Sequence, residues 1–288
     1  MPSFTILKDR ALIGLTGADA RSFLQGLISN DVAKVGPERA IYAAFLTAQG
    51  KYLFDFFVIQ MGETLLLDCE AARAPDFLRR LSMYKLRASV EITERSDEFA
   101  VAAVFGDGVA QCMGLEDVAG QACECGGGIA FMDPRLAAAG ARAILPVGRD
   151  IAGCTPATFE DYDEGRLRLG LPDGSRDMIV EKTLLLEAGF AELNGVDWDK
   201  GCFLGQELTA RTKYRGLVKR RLVPVNVQGP LPDPGTPILA DGREVGEMRS
   251  GLAGLGMAVM RIEAVNGTAE CSAGETRILP IKPDWAEF

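Results

Sequence analysis

The strongest constraint on the fold is a change of sequence pattern near residue 213. From there to residue 288, glycine and proline recur every few residues, and turn clusters at 229–237, 240–247 and 263–270 separate short apolar runs. The first run alternates three valines with other residues over 222–228. Short alternating segments between turns are typical of antiparallel strands. This predicts a small β-barrel or sandwich in 213–288, separate from a first domain in 1–212.

The first three quarters of the chain show a mixed pattern. The stretch 51–60 is rich in aromatic and β-branched residues and predicts a strand, whereas 75–86 places its apolar residues at helical spacing. The segment 160–170 also predicts a helix, which ends at Gly170, and GSRD at 174–177 is assigned to a loop. No glycine-rich phosphate turn follows a strand. We therefore predict an α+β domain and not a doubly wound nucleotide-binding fold.

The absence of histidine among the 288 residues removes several functions at once. It excludes Ser-His-Asp and Cys-His catalysis and histidine-ligated zinc, and no paired C-x-x-C motif predicts a metal site. The net charge of −9 argues against a general nucleic-acid or membrane binder. No apolar run approaches the ~18 residues of a membrane helix.

The cysteine content indicates a reducing compartment. Seven cysteines at irregular spacings do not fit the disulfide framework of a secreted domain. The first residues also lack the cationic and apolar regions of a signal peptide. We expect a cytoplasmic protein with reduced thiols.

The segment that carries the most chemistry is 200–221. It holds seven basic residues against one acidic residue, so it forms a local basic patch on an acidic protein. Gly201 and Gly205 precede a predicted helix, LGQELTAR, which places Cys202 at or just before the helix N-terminus beside Lys200. The helix dipole and the lysine charge would both favour the thiolate of Cys202.

Each of these residues also has a purely structural interpretation. A single cysteine near a helix start is more often a small buried residue than a reactive one. Glu207 and Arg211, four residues apart, could form an ordinary surface pair worth ~0.3–0.5 kcal/mol. A hydrophobic core does not require the polar pair Gln206 and Glu207, however. The residues around Cys202 therefore favour a functional site over a packing role.

A second cysteine group, Cys123 and Cys125, precedes three glycines at 126–128. Two thiolates with no further ligand nearby fall short of the four that hold an iron–sulfur cluster. This group is assigned to a flexible reduced loop.

The octapeptide KGCFLGQE at 200–207 resembles the K-G-C-[YF]-x-G-Q-E signature of the YgfZ family, folate-binding relatives of the glycine-cleavage T-protein (aminomethyltransferase). The continuation LTARTKYRGLVKRRLVPV is similar to the branch that contains the mitochondrial iron–sulfur cluster assembly factor. Supporting similarities lie at 15–32, 83–92 and 184–198. The resemblance covers most of the chain.

The resemblance implies two ferredoxin-like α+β lobes, interleaved within 1–212, and a small C-terminal β-barrel at 213–288, arranged around a central opening that binds tetrahydrofolate. It implies a monomeric accessory factor for iron–sulfur cluster assembly or maintenance, which works with assembly proteins and cluster-dependent enzymes and thereby supports tRNA modification. The signature cysteine, the family's functional residue, corresponds to Cys202.

The chain departs from the T-protein where that enzyme contacts the pterin. The T-protein's R-L-E-A-G stretch reads RLRLG at 166–170, so Arg168 stands in place of a glutamate, and arginine cannot accept hydrogen bonds from a pterin edge. Glu187 is a substitute acceptor or a surface carboxylate. Arg211 and Arg221 are predicted to bind the carboxylates of the folate tail.

Two other functions remain alongside the accessory factor. One is a folate-dependent aminomethyltransferase or demethylase, which the replacement by Arg168 argues against. The other is a module that uses its basic patch to dock on tRNA or an acidic protein, for which binding would depend steeply on salt.

Overall fold

The computed structural model describes residues 1–216 and 218–288. Its strands, in chain order, are β1 (Ser3–Ile6), β2 (Arg10–Thr16), β3 (Ile41–Leu46), β4 (Tyr52–Met61), β5 (Thr64–Glu70), β6 (Glu91–Glu94), β7 (Phe99–Phe105), β8 (Ala122–Cys125), β9 (Gly128–Met132), β10 (Ala141–Pro146), β11 (Thr155–Pro156), β12 (Arg220–Gln228), β13 (Pro237–Ala240), β14 (Arg243–Leu252), β15 (Leu255–Arg261), β16 (Cys271–Ala273) and β17 (Thr276–Pro280).

The α-helices are mostly short. They are α1 (Ala20–Gln25), α2 (Ala74–Lys85), α3 (Val109–Met113), α4 (Phe159–Leu169), α5 (Gly174–Asp177), α6 (Gln206–Tyr214) and α7 (Ile262–Val265). No helix in the described part of the chain is long and apolar enough to cross a membrane.

The first lobe is a five-stranded sheet in the order β3-β4-β5-β2-β6, with α1 and α2 on one face. Strand β4, an interior strand of this sheet, is buried over Tyr52–Ile59, which is expected of a strand covered on both faces. Phe56 and Val58 pack towards the helices, where the rings of Phe54 and Phe77 stack 4.5 Å apart. Alternate residues of the strand therefore serve two different cores.

The second lobe is a six-stranded sheet in the order β11-β1-β7-β10-β9-β8. Strand β1 belongs to this sheet although β2, which follows it, belongs to the first, so the chain passes between the two lobes at residues 7–9. The other face of the first sheet packs here. Phe57 and Ile59 of β4 share a core with Phe131 of β9, and the rings of Phe57 and Phe131 lie 5.9 Å apart.

The C-terminal part is a closed six-stranded barrel in the order β12-β15-β14-β13-β16-β17. The alternating valines of β12 (Val223, Val225 and Val227) are buried in its interior with Ile238 and Met248. The sequence predicted a barrel or a sandwich, and the structure is the barrel. The whole is an α+β fold of two sheet lobes and a small C-terminal β-barrel, the arrangement that the resemblance implied.

The one-turn helix α5 corrects a local prediction. GSRD at 174–177 was expected to be a loop, but it forms a helical turn with Asp177 buried at 1% exposure. Tertiary hydrogen bonds to Asp177, which local sequence does not reveal, hold this turn in place.

Candidate functional site

The Cys202 loop, residues 200–205, is anchored to the first lobe at its start by Lys200. The ammonium Nζ donates to the backbone carbonyls of Gln25, Ile28 and Asn30 at 2.7, 2.6 and 2.8 Å. Burial lowers the pKa of Lys200 to about 8, although the charges of Asp31 and Asp197 oppose the shift. Lys200 therefore serves as an anchor, and its charge is directed at carbonyl oxygens.

The loop is anchored at its other end by a close backbone approach. Leu204 N donates to Gly26 O at 3.1 Å. Gly205 has a φ of +80°, and a Cβ there would lie 2.5 Å from Thr47 O. Gly50, in the same β3–β4 turn, is equally restricted, because its Cβ would lie 2.7 Å from Gly205 O. Only glycine fits at this contact.

Gly201 differs from Gly205 in its surroundings. Its φ is +90°, but a Cβ there would meet nothing within 4 Å. Glycine at 201 is thus required by backbone conformation alone, whereas glycine at 205 is also required by packing.

Cys202 is the exposed cysteine of the chain, and the other six are buried or half-buried. The prediction that it lies at or just before the helix N-terminus is wrong, because α6 begins at Gln206 after Gly205 and leaves Cys202 four residues earlier. Lys200 was expected to place its charge beside the Cys202 thiol. Its ammonium group instead donates hydrogen bonds to three backbone carbonyls of the first lobe. What remains is an accessible thiol on a loop held at both ends.

The polar residues that follow Cys202 have separate roles. Gln206 Oε1 accepts a hydrogen bond from Phe203 N at 3.1 Å, which closes the loop onto the first turn of α6. Glu207 and Arg211 are both exposed on this helix. Within the residues described, they do not form the ion pair that their spacing allowed.

The structure contradicts the assignment of Arg221 to a folate tail. Arg221 is 7% exposed. Its guanidinium donates to Leu186 O at 2.5 Å, to the Glu192 carboxylate and to Glu287 O at 3.2 Å. These internal acceptors join the start of the barrel to residues 186–192, so Arg221 is not available to a ligand carboxylate.

Glu187 and Arg168 also have local partners. Glu187 is half-buried in a 3-10 turn, Leu185–Ala188, and its carboxylate accepts a long hydrogen bond of 3.4 Å from Leu184 N. Arg168 is exposed on α4 and pairs with Glu164 at 2.6 Å. The T-protein position that Arg168 occupies therefore faces solvent, and Glu187 as a pterin acceptor stays a prediction.

A cavity of about 300 Å³ lies between the lobes. Asn30, Arg39 and Tyr42 line it from the first lobe, and Pro134 and Asn194 line it from the other side. The Asn30 side chain donates to the carbonyls of Tyr42 and Asn194, both at 2.7 Å. The cavity therefore has a polar wall at Asn30 and Asn194, and the exposed side chain of Arg39 lies at its rim.

Sequence reasoning missed a buried ionic cluster, the Arg166 cluster, that joins α4 and α5 to the barrel. Arg166 donates to Asp163 at 2.6 Å, to Asp177 at 2.7 Å and to Ser250 Oγ of β14 at 2.9 Å. Its members are Asp163, Arg166, Asp173, Arg176, Asp177 and Ser250.

The charges in this cluster stabilise one another. Burial disfavours the charged form of Asp173, but Arg166, Arg176 and Arg10 outweigh it and lower the pKa of Asp173 to about 2. Asp163 also has a lowered pKa, because Arg176 and Arg166 overcome its burial. The i, i+3 spacings of Asp163 with Arg166 and of Asp173 with Arg176 were local signals of this cluster.

A second set of buried polar groups joins the two sheets. Asp68 of β5 accepts from Arg10 at 2.6 Å and from Arg142 of β10 at 3.0 Å. On β4, Asp55 accepts from the hydroxyls of Tyr42 and Tyr52 at 2.9 and 2.8 Å. Burial raises the pKa of Asp55, although Arg10 and both tyrosines oppose the shift.

No group of three or more cysteine or acidic side chains in residues 1–216 and 218–288 is arranged to hold a metal ion. Cys123 and Cys125 are not part of such a group, and they lie on strand β8, so the assignment of these two cysteines to a flexible loop is wrong.

Comparison with known proteins agrees with this architecture. Residues 10–120 match the family described as the GCVT N-terminal domain, and residues 219–288 match the family described as the CAF17 C-terminal beta-barrel domain. A crystal structure of the glycine cleavage system aminomethyltransferase T from Bartonella henselae superposes with a TM-score of 0.80. It covers 99% of this chain and 86% of that one at 17% identity. The fold is therefore that of the aminomethyltransferase class.

Two curated relatives narrow the assignment. The chain is 33% identical to the human protein named iron-sulfur cluster assembly factor IBA57, mitochondrial, and 32% identical to its counterpart from Mus musculus. Each alignment covers 97% of this chain and 84% of the relative. The chain belongs to the IBA57 family of iron–sulfur cluster assembly factors. The prediction of a cytoplasmic protein is wrong on this comparison, because these relatives are named as mitochondrial proteins.

Proposed function

We propose that this protein is an accessory factor for the assembly or maintenance of iron–sulfur clusters and that it works through the thiol of Cys202. The observation that carries the proposal is the accessibility of this one cysteine on a loop anchored by Lys200 and Gly205. Thiolates are the usual protein ligands of iron–sulfur clusters.

One thiol also defines the kind of mechanism. An iron–sulfur cluster is held by four protein ligands, and Cys202 can supply one. The remaining ligands must come from a partner protein, so the cluster is cargo shared at an interface. The chain's own contribution is to present the thiol at a fixed place, because the anchors at both ends of the loop limit its motion.

The surface beside Cys202 favours an acidic partner. The exposed basic residues of α6 and the segment after it are Arg211, Lys213, Arg215 and Lys219. Lys213 lies 3.7 Å from the ring centre of Trp198, which helps to hold its charge on this side. On a chain of net charge −9, this patch directs the approach of a negatively charged assembly protein or client enzyme.

The test is complementation of a deletion strain. Wild type, Cys202→Ser and the matched control Cys125→Ser are expressed at equal levels, and the activities of a four-iron enzyme and of a cluster-dependent tRNA methylthiolation enzyme are measured. Cys125→Ser should restore both activities and Cys202→Ser neither. Full restoration by Cys202→Ser would reject the proposal.

Tetrahydrofolate binding is the second part of the proposal, supported by the T-protein fold. The cavity between the lobes is at the lower end of the size range of ligand pockets, and Arg39 at its rim offers a guanidinium for the folate carboxylates. Arg211 offers another on α6. Arg168, exposed and paired with Glu164, is a matched control outside both places.

Calorimetric titration with tetrahydrofolate distinguishes these placements. Arg39→Ala should raise the Kd more than fivefold if the tail lies at the cavity rim, and Arg211→Ala should do so if the tail lies along α6. Arg168→Ala should leave the Kd within twofold. No heat of binding to the wild type would reject folate binding, and turnover of an aminomethyl donor would instead establish the enzymatic alternative.

A further inference from the structure

Four of the seven cysteines belong to the second lobe. Cys112 lies in α3, Cys123 and Cys125 lie on β8, and Cys154 directly precedes β11. All four are half-buried. Cys123, Cys125 and Cys154 pack against the same apolar cluster as the residues of α3.

Two of these thiols are in direct contact. Cys112 Sγ lies 3.4 Å from Cys154 Sγ and 3.7 Å from Ala152 O. A disulfide bond is about 2.05 Å long, so the two sulfurs need to approach by about 1.4 Å.

The chain around Cys154 allows that movement. Residues 147–150, 152 and 153 are exposed and lie outside the strands, and Gly148 and Gly153 both have positive φ. A shift of this segment breaks no strand pairing of β10, which ends at Pro146. A Cβ at Gly153 would lie 3.1 Å from Cys112 Sγ, so glycine keeps the approach to that sulfur clear.

Cys154 is a poor first nucleophile. Burial, together with the hydrogen bond and charge of Cys112, raises the pKa of its thiol to about 12. In the contact between the two sulfurs, either thiol can be the donor. Because the thiolate is the attacking form, Cys154 suits the second step of an exchange, in which it attacks a sulfur already in contact with it.

The neighbouring pair is less suited to a disulfide. Cys123 and Cys125 are two apart on one strand, so their Cα atoms lie about 6.6 Å apart, at the upper limit for a disulfide. The Cys123 thiol already donates to Met113 O at 3.4 Å.

We propose that Cys112 and Cys154 form an oxidisable dithiol, a modification site that low-molecular-weight disulfides such as glutathione disulfide convert into an intramolecular disulfide. The Cys112 thiolate attacks one sulfur of glutathione disulfide, whose S–S bond breaks to release one glutathione thiolate. Cys154 then loses its proton to solvent and attacks the Cys112 sulfur, which releases the second glutathione. Two protein thiols are oxidised and one glutathione disulfide is reduced.

The new bond would tie α3 to the start of β11. Strand β11 is the edge strand that pairs with β1, and Thr155 N donates to Pro2 O there. The bond would therefore fix the chain at the point where it leaves the second lobe for α4. This site does not depend on the role proposed for Cys202.

The test equilibrates the reduced full-length protein with glutathione disulfide, blocks free thiols with iodoacetamide and maps the peptides by mass. The expected product links Cys112 to Cys154, is two hydrogens lighter and reverts with dithiothreitol. Cys154→Ser should leave a persistent glutathione adduct on Cys112, because the resolving thiol is missing. Cys112→Ser should form at least tenfold less adduct on Cys154.

Matched variants separate this site from the other thiols. Cys125→Ser and Cys202→Ala should form the 112–154 link to the same extent as the wild type. A link from Cys112 to Cys125, or equal adduct formation on Cys112 and Cys154 in the two serine variants, would overturn the proposal. So would the absence of a 112–154 link in wild-type protein that retains its native circular dichroism.

Discussion

The Cys202 loop and the Arg166 cluster use buried cations for different ends. In the loop, the Lys200 ammonium is satisfied by three carbonyls of residues 25–30, and the neighbouring thiol of Cys202 stays exposed. In the cluster, Arg166 is satisfied by two aspartates and a serine, and no member at its centre faces solvent. One region presents an exposed thiol, while the other joins parts of the fold.

The T-protein-like stretch 166–170 has a structural role in this chain. Its first arginine, Arg166, points into the cluster, and its second, Arg168, points to solvent and pairs with Glu164. Neither side chain offers an acceptor to a pterin. The stretch therefore connects α4 to the barrel, whereas the exposed thiol lies on the Cys202 loop.

The largest expected effect is the loss of a carboxylate from the Arg166 cluster. Asp177→Ala removes the partner of Arg166 Nη1 and the acceptor of Ser250 Oγ, and it leaves a buried guanidinium charge underpaired. We expect a loss of about 3–5 kcal/mol in the free energy of unfolding, measured by urea denaturation. Glu164→Ala, at an exposed pair, should cost under about 1 kcal/mol. Equal losses of unfolding free energy in both variants would show that the Arg166 cluster does not stabilise the contact between α4, α5 and the barrel.

The next effect concerns acid stability. The pKa of Asp173 is about 2 in the folded protein and 3.8 without its neighbours, so its contribution is fully present above about pH 4 and is lost as pH falls through 2. The shift corresponds to about 2 kcal/mol. Asp173→Asn should flatten the decline of the unfolding free energy between pH 4 and pH 2. An unchanged decline would show that Asp173 is not strongly paired.

A glycine pair tests the anchoring of the loop. Gly205→Ala places a Cβ against Thr47 O at a positive φ and should cost about 2 kcal/mol. Gly201→Ala, at a similar φ in open space, should cost about 1 kcal/mol. Urea denaturation of both variants gives the difference, and equal costs would mean that the turn at 47–50 does not hold the loop.

The smallest expected effect is that of Cys202→Ser. The side chain is exposed, so the unfolding free energy should change by less than about 0.5 kcal/mol. Cys69→Ser, at a buried position of the first lobe, should cost at least about 1 kcal/mol by the same measurement. A large loss for Cys202→Ser would make Cys202 a packing residue.

The sequence predicted the elements whose signals are local. The helix before Gly170 runs from Phe159 to Leu169, and the valine alternation identified a barrel strand. The family resemblance correctly supplied the overall fold. The contacts that define the site were beyond local reasoning, because Lys200 binds carbonyls some 170 residues away and Arg166 binds a serine 84 residues away.

The same limit explains the errors at single residues. Arg221 carries the charge expected of an anion-binding residue, but its acceptors at 186, 192 and 287 become visible only in the folded chain. The helix start was placed too early because Gly205, with positive φ, separates Cys202 from α6. Charge and residue spacing identified the segment 200–221 as the candidate site. Tertiary packing determines which of its side chains are exposed to a ligand or partner.

The accessibility of Cys202 can be measured as the rate of iodoacetamide modification of each cysteine in the native protein, followed by peptide mass mapping. Cys202 should be modified first, at least tenfold faster than Cys112 and the other half-buried thiols, and Cys69 and Cys271 should react only after unfolding. If Cys202 resists modification until the protein unfolds, it is not an exposed thiol on an anchored loop.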